Sequence, residues 1–444
     1  MVFDWSEPCF RHALDVISRL RECGFEAYIV GGAVRDALLG RSPQRSEIDV
    51  VTSATPGDIA RLFERVVPVG AEFLVVRVLI GETEIETATF RSEASYADGR
   101  HPDAVRPGTL EEDAARRDFT INGLYYDPFR DEVIDLVSGR DDLARRIIRT
   151  IGEPEKRFAE DHLRMLRAIR FAVTLEFDIH PPTYEAIRAH AADIQSVSQE
   201  RIRDELVKML VPRQRARGLR MLKDTGLLHF IIPELEPMEG CKQPPNFHPE
   251  GDVWVHTLLA LEALSNPTPE LALGTLLHDV GKPETITFED RIRFNNHDAV
   301  GAAIAERVCR RLRFSNEQVE HIKSLVASHM RFLSAQKMSL SKLKRLLRLD
   351  RVEEHLELSR VDCVASHGDL SIYNFCRQKL SEFSAEELRP PKLLDGYDLI
   401  ALGFEPGPIF SRILERIEEA QLAGEVTTRD QAAELVRREF AAKP

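Results

Sequence analysis

Two glycines, a basic residue and a spaced pair of acids make the first chemically suggestive group in the chain: Gly31-Gly32-Ala33-Val34-Arg35-Asp36, followed by Glu47-Ile48-Asp49. Glycines let a backbone approach phosphate oxygens, and a helix that starts there offers N–H groups and a partial positive charge. On a short strand with period-two alternation, Glu47 and Asp49 project to one face and can share metal ions. Two metals so held can activate a 3′-hydroxyl and stabilise departing pyrophosphate, which is two-metal phosphoryl transfer from a nucleoside triphosphate. A glycine pair alone is more often a tight turn, so the weight rests on the whole string.

Further groups follow. In Arg116-Arg117-Asp118-Phe119-Thr120-Ile121-Asn122 an arginine can clamp a triphosphate, while Asp118 and Asn122 can bond ribose hydroxyls. An Arg-Arg-Asp run also occurs as a plain surface ion pair. Around Glu160-Asp161-His162-Leu163-Arg164, the apolar positions Leu163, Leu166, Ile169 and Val173 predict the buried stripe of a helix, with Asp161 and Arg164 on its other side. One acceptor and one fork of donors can meet the edge of a base as a complementary base would; an ordinary i,i+3 ion pair has the same spacing. Far downstream stand His256, the adjacent pair His278-Asp279, His297, His329 and Asp362. A lone histidine on an apolar helix is usually structural. His278-Asp279 is different, because Leu276, Leu277 and Val280 flank it and burying both groups is costly without a metal or hydrogen-bond partners.

These residues need elements to position them. Ala27-Tyr28-Ile29-Val30 reads as a strand, residues 33–39 as a helix starting at the glycines, and Ile48 to Val51 as a second strand. Further β-like runs at 73–80, 84–90, 123–126 and 133–136 alternate with short helices, an α+β pattern. Glu84 and Glu86 share one face of the 84–90 run, so either can be a third active-site acid, or an exposed edge carboxylate. From about residue 141 the periodicity is helical, punctuated by Pro154, Pro181-Pro182 and Pro212. A Pro- and Gly-rich stretch at 233–249 reads as an interdomain connection, and 390–408 as another break. The expected domains are 1–145 as an α+β head, 146–235 as an all-α neck, 246–370 as a second helical domain and 371–444 as a helical tail.

With 444 residues the chain exceeds one ordinary core. Its 43% hydrophobic and 30% charged composition is that of a globular protein, and it contains no apolar run of about 18 residues that would span a membrane. The N-terminus lacks the pattern of a signal peptide, which makes the cytoplasm the expected setting. Six scattered cysteines without a C-x-x-C pair read as reduced, buried thiols. A formal charge of −13 argues against indiscriminate nucleic-acid binding and leaves room for a local basic groove. Candidate patches are Arg145, Arg146 and Arg149, the arginines from Arg164 to Arg170, and Lys342, Lys344, Arg345 and Arg348.

The string from Gly31 to Asp49 resembles the signature of the polymerase-β nucleotidyltransferase superfamily. With Val34-Arg35-Asp36 and Leu38-Leu39-Gly40 it is similar to the class II tRNA nucleotidyltransferase and bacterial poly(A) polymerase family. That family usually carries Asp-x-Asp, and Glu47 departs from it by one methylene; an altered rate is expected. The resemblance implies Mg²⁺ on Glu47 and Asp49, and selects Glu86 as the third acid. It gives nucleotide contacts to Gly31, Gly32, Arg35, Arg117, Asp118 and Asn122, and makes Asp161 and Arg164 the amino-acid template that reads CTP or ATP. Arg167 and Arg170 match further nucleotide-contacting positions. His162 stands where the family usually has proline. The segment 91–107, with Asp98, corresponds to a loop that accompanies the switch to ATP, and its full length speaks against addition of CC alone. Glu200-Arg201-Ile202-Arg203-Asp204-Glu205 resembles a helix that braces the neck. The later order of histidines and aspartates resembles HD-domain phosphohydrolases, with His256, His278, Asp279 and Asp362 around one ion and Asp279, His297 and His329 around another. Mn²⁺, Ni²⁺ or Co²⁺ is the expected metal there, and phosphate or 2′,3′-cyclic phosphate on RNA ends the expected substrate.

The implied activity is template-independent addition of CMP and AMP from CTP and ATP to the 3′ end of tRNA. Poly(A) polymerase or A-only addition uses nearly the same residues. An HD phosphohydrolase whose head only senses nucleotide is the alternative of another class.

Overall fold

A computed structural model of the protein describes residues 3, 7–41, 48–70, 74–93, 105–244, 249, 251–288 and 291–440. Glu47 and the segment around Asp98 lie outside the described residues. The chain divides into two compact units, Met1–Pro233 and Glu234–Pro444.

The first unit begins with the helix Pro8–Glu22, whose buried Phe10, Ala13, Ile17 and Leu20 repeat at helical spacing and pack against a mixed sheet. Its strands are β1 (Ala27–Val30), β2 (Asp49–Thr52), β3 (Val66–Gly70), β4 (Val75–Ile80), β5 (Thr83–Thr89), β8 (Leu124–Asp127) and β9 (Glu132–Asp135) in the order β3-β4-β5-β2-β1-β8-β9; β6 (Arg91–Glu93) and β7 (Val105–Pro107) pair separately. Most of these strands match the sequence expectation. β3 does not: Val-Val-Pro-Val with two exposed valines carries no alternation signal. The central strands β1 and β8 are nearly fully buried because sheet and helices cover both faces, and Val30, Val51, Phe90 and Tyr125 form one cluster there.

Among the described residues of this sheet only β2 and β5 pair in parallel, and their register sets Asp49 opposite Glu86. Side chains opposite each other in neighbouring strands share a face, so this register joins two acids that the sequence separates by a hairpin. At the end of β1 the chain turns into the helix Gly32–Leu38, with Gly31 at φ 77°, a left-handed conformation open to glycine at little cost.

The helices after the sheet pack as an all-α layer: Leu163–Leu175 lies against Gln199–Leu210 and Arg215–Asp224. Here the sequence expectation needs a correction. Asp161 is not part of the long helix; its backbone is extended (φ −148°, ψ 104°), it ends the helix Pro154–Glu160, and its Oδ1 accepts from Leu163 N at 3.1 Å. Arg164, expected on the open side, is 9% exposed.

In the second unit helices dominate, with one short hairpin, Ile286–Phe288 with Ile292–Phe294. One cluster gathers Phe332, Leu343, Leu346, Leu356 and Cys376, and another gathers Leu394, Leu399, Ile413, Ile417 and Val436. No helix among the described residues is long and apolar enough to cross a membrane. All six cysteines are free; five are buried, and Cys23, expected to be buried, is exposed at the end of the first helix.

One tight backbone contact holds the 3₁₀ turn Thr120–Asn122 in place. A Cβ on Gly139 would lie 2.2 Å from the Thr120 carbonyl oxygen. Gly139→Ala is therefore expected to lose about 1–3 kcal/mol of stability in denaturant unfolding, a typical overpacking cost. Gly57→Ala, whose Cβ would meet only Thr55 Oγ1 at 3.8 Å, should be near neutral.

Candidate functional site

A cleft of about 500 Å³ opens in the first unit, and Gly31, Gly32, Arg35, Asp49, Arg117, Asp118, Asn122, Asp161, Arg164, Arg167 and Arg170 all line it. The structure thus brings together residues spread over β1, β2, the 3₁₀ turn and the helix Leu163–Leu175. Arg116, Phe171 and Lys208, which sequence reasoning did not select, line it too. Glu86 lies in an adjoining cavity with Ile48 and Glu84; Asp49 borders both spaces.

Seven cationic and three acidic side chains line this one cleft in a protein with a formal charge of −13. The six arginines among them are each anchored by an acidic side chain. Arg35 is bidentate to Asp36 (2.9 and 2.9 Å) and donates to Asn122 Oδ1 at 2.6 Å. Arg116 and Arg117 share the fully buried Asp113, which also accepts from the Tyr125 hydroxyl at 2.8 Å. Burial opposes ionisation of Asp113, but the two guanidiniums overcome it and hold its carboxyl below the usual range. Arg167 donates twice to Asp118 Oδ2 (3.0 and 2.6 Å), and Arg170 donates to Glu205 at 2.5 Å. Burial likewise opposes charge on Asp118, yet Arg167 and Asn122 bring it down to about 2. The ring of Phe171 lies under three guanidiniums, with Arg170 at 3.9 Å, Arg35 at 5.3 Å and Arg167 at 5.4 Å.

The pair expected to read a base is also held. Asp161 accepts from Arg201 at 2.8 Å, and Arg164 donates to Glu160 at 2.5 Å and to the carbonyls of Arg157 and Arg116. Asp161 and Arg164 are not bonded to each other as a simple i,i+3 ion pair would be; separate partners orient them. Arg201 and Glu205 sit on the helix Gln199–Leu210, which sequence reasoning took only as a brace.

In the second unit all six predicted residues converge. Ligand atoms of His256, His278 and Asp362 lie within 4.8 Å of one another, as do those of Asp279, His297 and His329. Asp279 faces both groups, with Oδ2 3.2 Å from His278 Nε2 and 3.7 Å from His256 Nε2, and Oδ1 3.5 Å from His297 Nε2 and 3.7 Å from His329 Nε2. His278, His297 and His329 each donate Nδ1–H to the carbonyl three residues earlier, at 2.8, 2.8 and 2.7 Å. That fixes the tautomer and leaves Nε2 with a bare lone pair. Yet Nε2 of His297 lies 3.2 Å from Nε2 of His329, and Nε2 of His278 lies 3.3 Å from Nε2 of His256. In the first pair two bare lone pairs face each other, an arrangement that suits a cation between them; in the second, His256 Nε2 also lies 3.0 Å from Asp362 Oδ1. A proton is disfavoured: burial, aided by His278, pushes His329 down to about 4. The donors therefore fit metal ions.

Gly281 and Gly301 make this convergence possible. A Cβ on Gly281 would stand 2.3 Å from the His297 carbonyl oxygen and 2.6 Å from Gly301 N, so the helix His297–Arg311 presses its backbone onto the turn after Asp279. Lys282, three residues beyond Asp279, forms an ion pair with its Oδ2 at 2.6 Å. Sequence reasoning gave this lysine no role.

Comparison with known proteins agrees with this geometry. Residues 27–149 match the poly A polymerase head domain, 176–239 the probable RNA and SrmB-binding site of polymerase A, and 254–363 the HD domain. Hard carboxylates in the head and an imidazole–carboxylate set in the HD region both imply divalent metal ions. The CCA-adding enzyme of Ligilactobacillus salivarius is 43% identical over 222 residues, 50% of this chain and 54% of that protein, so the match spans about half of such a relative. That of Latilactobacillus sakei is 39% identical over 277 residues, 61% of this chain and 68% of that one. Among solved structures, the Bacillus stearothermophilus CCA-adding enzyme in complex with CTP has a TM-score of 0.76 at 29% identity, covering 97% of this chain and 98% of its own. A Thermotoga maritima CCA-adding enzyme complexed with tRNA shares the fold at a TM-score of 0.60 and 20% identity. The chain belongs to the CCA-adding enzyme family.

Proposed function

We propose that this protein adds CMP and AMP to the 3′ end of tRNA from CTP and ATP, without a nucleic-acid template, in the cytoplasm. The observation that carries the reading is the cationic cleft with Asp49 at its border. Its lining of seven cationic against three acidic side chains suits a polyanion such as a nucleoside triphosphate. Arg35, Arg117, Arg167 and Arg170 clamp the phosphates beside Gly31 and Gly32, and Asp118 and Asn122 meet the ribose. Asp161 and Arg164, oriented by Arg201 and Glu160, present an acceptor and a donor fork to the base edge. Asp49 and Glu86 hold Mg²⁺ with Glu47, and the chemistry supplied by that metal is activation of the 3′-hydroxyl and stabilisation of pyrophosphate. The head extends over 1–145, the neck over 146–235, the HD domain over 246–370 and the tail over 371–444.

A second activity is favoured by the facing imidazole nitrogens. His256, His278, Asp279 and Asp362 would hold one divalent ion, and Asp279, His297 and His329 another; Mn²⁺, Ni²⁺ or Co²⁺ suits this donor set. With ions bound, the chemistry supplied is hydrolysis of a phosphate or 2′,3′-cyclic phosphate on an RNA end.

Labelled tRNA lacking CCA, lacking only A, or intact, incubated with CTP or ATP alone, tests the leading reading. CMP should enter the first substrate and AMP the second; AMP alone would point to A-only or poly(A) addition, and incorporation of neither would defeat it. Asp49→Asn should abolish incorporation and leave phosphate release unchanged. Arg117→Ala should weaken nucleotide binding by about ten- to a hundredfold, the worth of one charge-assisted hydrogen bond. Mn²⁺ at about a hundred times its dissociation constant should stabilise the protein by about 2.7 kcal/mol in thermal unfolding. His329→Ala should remove most of that gain, and an equal gain in wild type and variant would refute the HD centre.

A further inference from the structure

Asp49 borders two spaces, and only one of them is the cationic cleft. The other, of about 510 Å³, is lined by the acids Glu7, Asp49, Glu82, Glu84 and Glu86, and Arg77 is its one cation among the described residues. Three neighbouring strands build its wall. Asp49 on β2 stands opposite Glu86 on β5, and Glu86 stands opposite Arg77 on β4. Directly opposite residues share a face at a spacing of about 4.5–5.5 Å, so the three side chains form one row across the open side of the sheet. Val76 and Val78, on either side of Arg77, are buried, which fixes Arg77 on that open face.

Nucleotidyl transfer needs the entering and departing oxygens roughly in line, on opposite sides of the reacting phosphorus. With a triphosphate in the cleft, a 3′-hydroxyl reaches Asp49 from the second space, and the terminal ribose of the acceptor strand occupies it. That ribose carries a phosphodiester on its 5′ side, one sugar away from the reacting hydroxyl. An anion entering a space lined by five carboxylates is repelled unless a cation meets it. Arg77 is in place to do so. Its partner is Glu84 at 3.2 Å, and both side chains are about half exposed, a pair worth little in water and readily exchanged for a phosphate that accepts two parallel hydrogen bonds.

We infer, on the reading of the head as a tRNA nucleotidyltransferase, that Arg77 binds the last phosphodiester of the acceptor strand and so holds the terminal 3′-hydroxyl at Asp49 and Glu86.

The test compares the full chain with its Arg77→Met and Arg77→Lys variants on tRNA lacking only the terminal A. Fluorescence anisotropy gives the affinity for this tRNA without nucleotide, and AMP incorporation gives KM for tRNA and for ATP separately. A second tRNA carries an uncharged methylphosphonate at its last linkage. Arg77→Met should weaken tRNA binding and raise the tRNA KM by about tenfold, the worth of one charge-assisted hydrogen bond, with the ATP KM unchanged. Arg77→Lys should recover most of the loss, because the charge is kept. The salt dependence of tRNA affinity should become shallower by about one unit on logarithmic axes in Arg77→Met. The methylphosphonate should cost the wild type the same factor and Arg77→Met nothing more. Unchanged tRNA affinity in Arg77→Met would overturn the assignment. So would a rise in the ATP KM alone, which makes Arg77 a nucleotide contact, or a fall in kcat at unchanged affinity, which makes it a support for Glu86. Additive losses from the methylphosphonate and the substitution would overturn it by placing that phosphate elsewhere. No AMP incorporation by the wild-type chain would defeat the nucleotidyltransferase reading itself, and the role of Arg77 with it.

Discussion

Like charges forced together are the constraint on which the first unit depends. Seven cationic side chains face one cleft, and their mutual repulsion would splay it open without counter-charges. The remedy is a back row of acids, Asp36, Asp113, Asp118, Glu160 and Glu205, together with the face of Phe171. Because each acid is buried or half-buried, its desolvation is offset only while its arginine stays in place. The fold therefore couples the order of the cleft to the packing of the sheet and of the helix Leu163–Leu175.

The second unit solves the converse problem. Its buried centre gathers four imidazoles around two aspartates, and the crowding there is between ring nitrogens. The two centres differ accordingly in the donors they offer: carboxylate oxygens beside a cationic cleft in the first, and an imidazole–carboxylate set in the second. Three imidazoles of the second are held by backbone carbonyls three residues away, whereas Arg167 and Arg170 of the cleft depend on Asp118 and Glu205, far away in sequence.

Most of the site residues were legible in the sequence, because turns, strand alternation and helix spacing are local. Gly31, Gly32 and Asp49 could be placed from a turn and a short strand, and His278-Asp279 from the cost of burying adjacent polar groups among leucines. The partners were not legible. Arg201 meets Asp161 across 40 residues and Arg170 meets Glu205 across 35, pairings fixed only when the helices pack. The extended backbone at Asp161 was missed because the apolar stripe starting at Leu163 is regular and no proline marks the break. Glu86 could be read as facing outward; its place opposite Asp49 follows from a parallel register that no local pattern encodes.

The three imidazoles tied to backbone carbonyls three residues earlier have a consequence for energetics beyond geometry. Their rotamers are already frozen before any ion arrives, so little side-chain entropy remains to be lost on coordination. The second unit therefore meets an ion with ligand rotamers that its own backbone has already set, so coordination there costs less ordering than at a site built from free side chains.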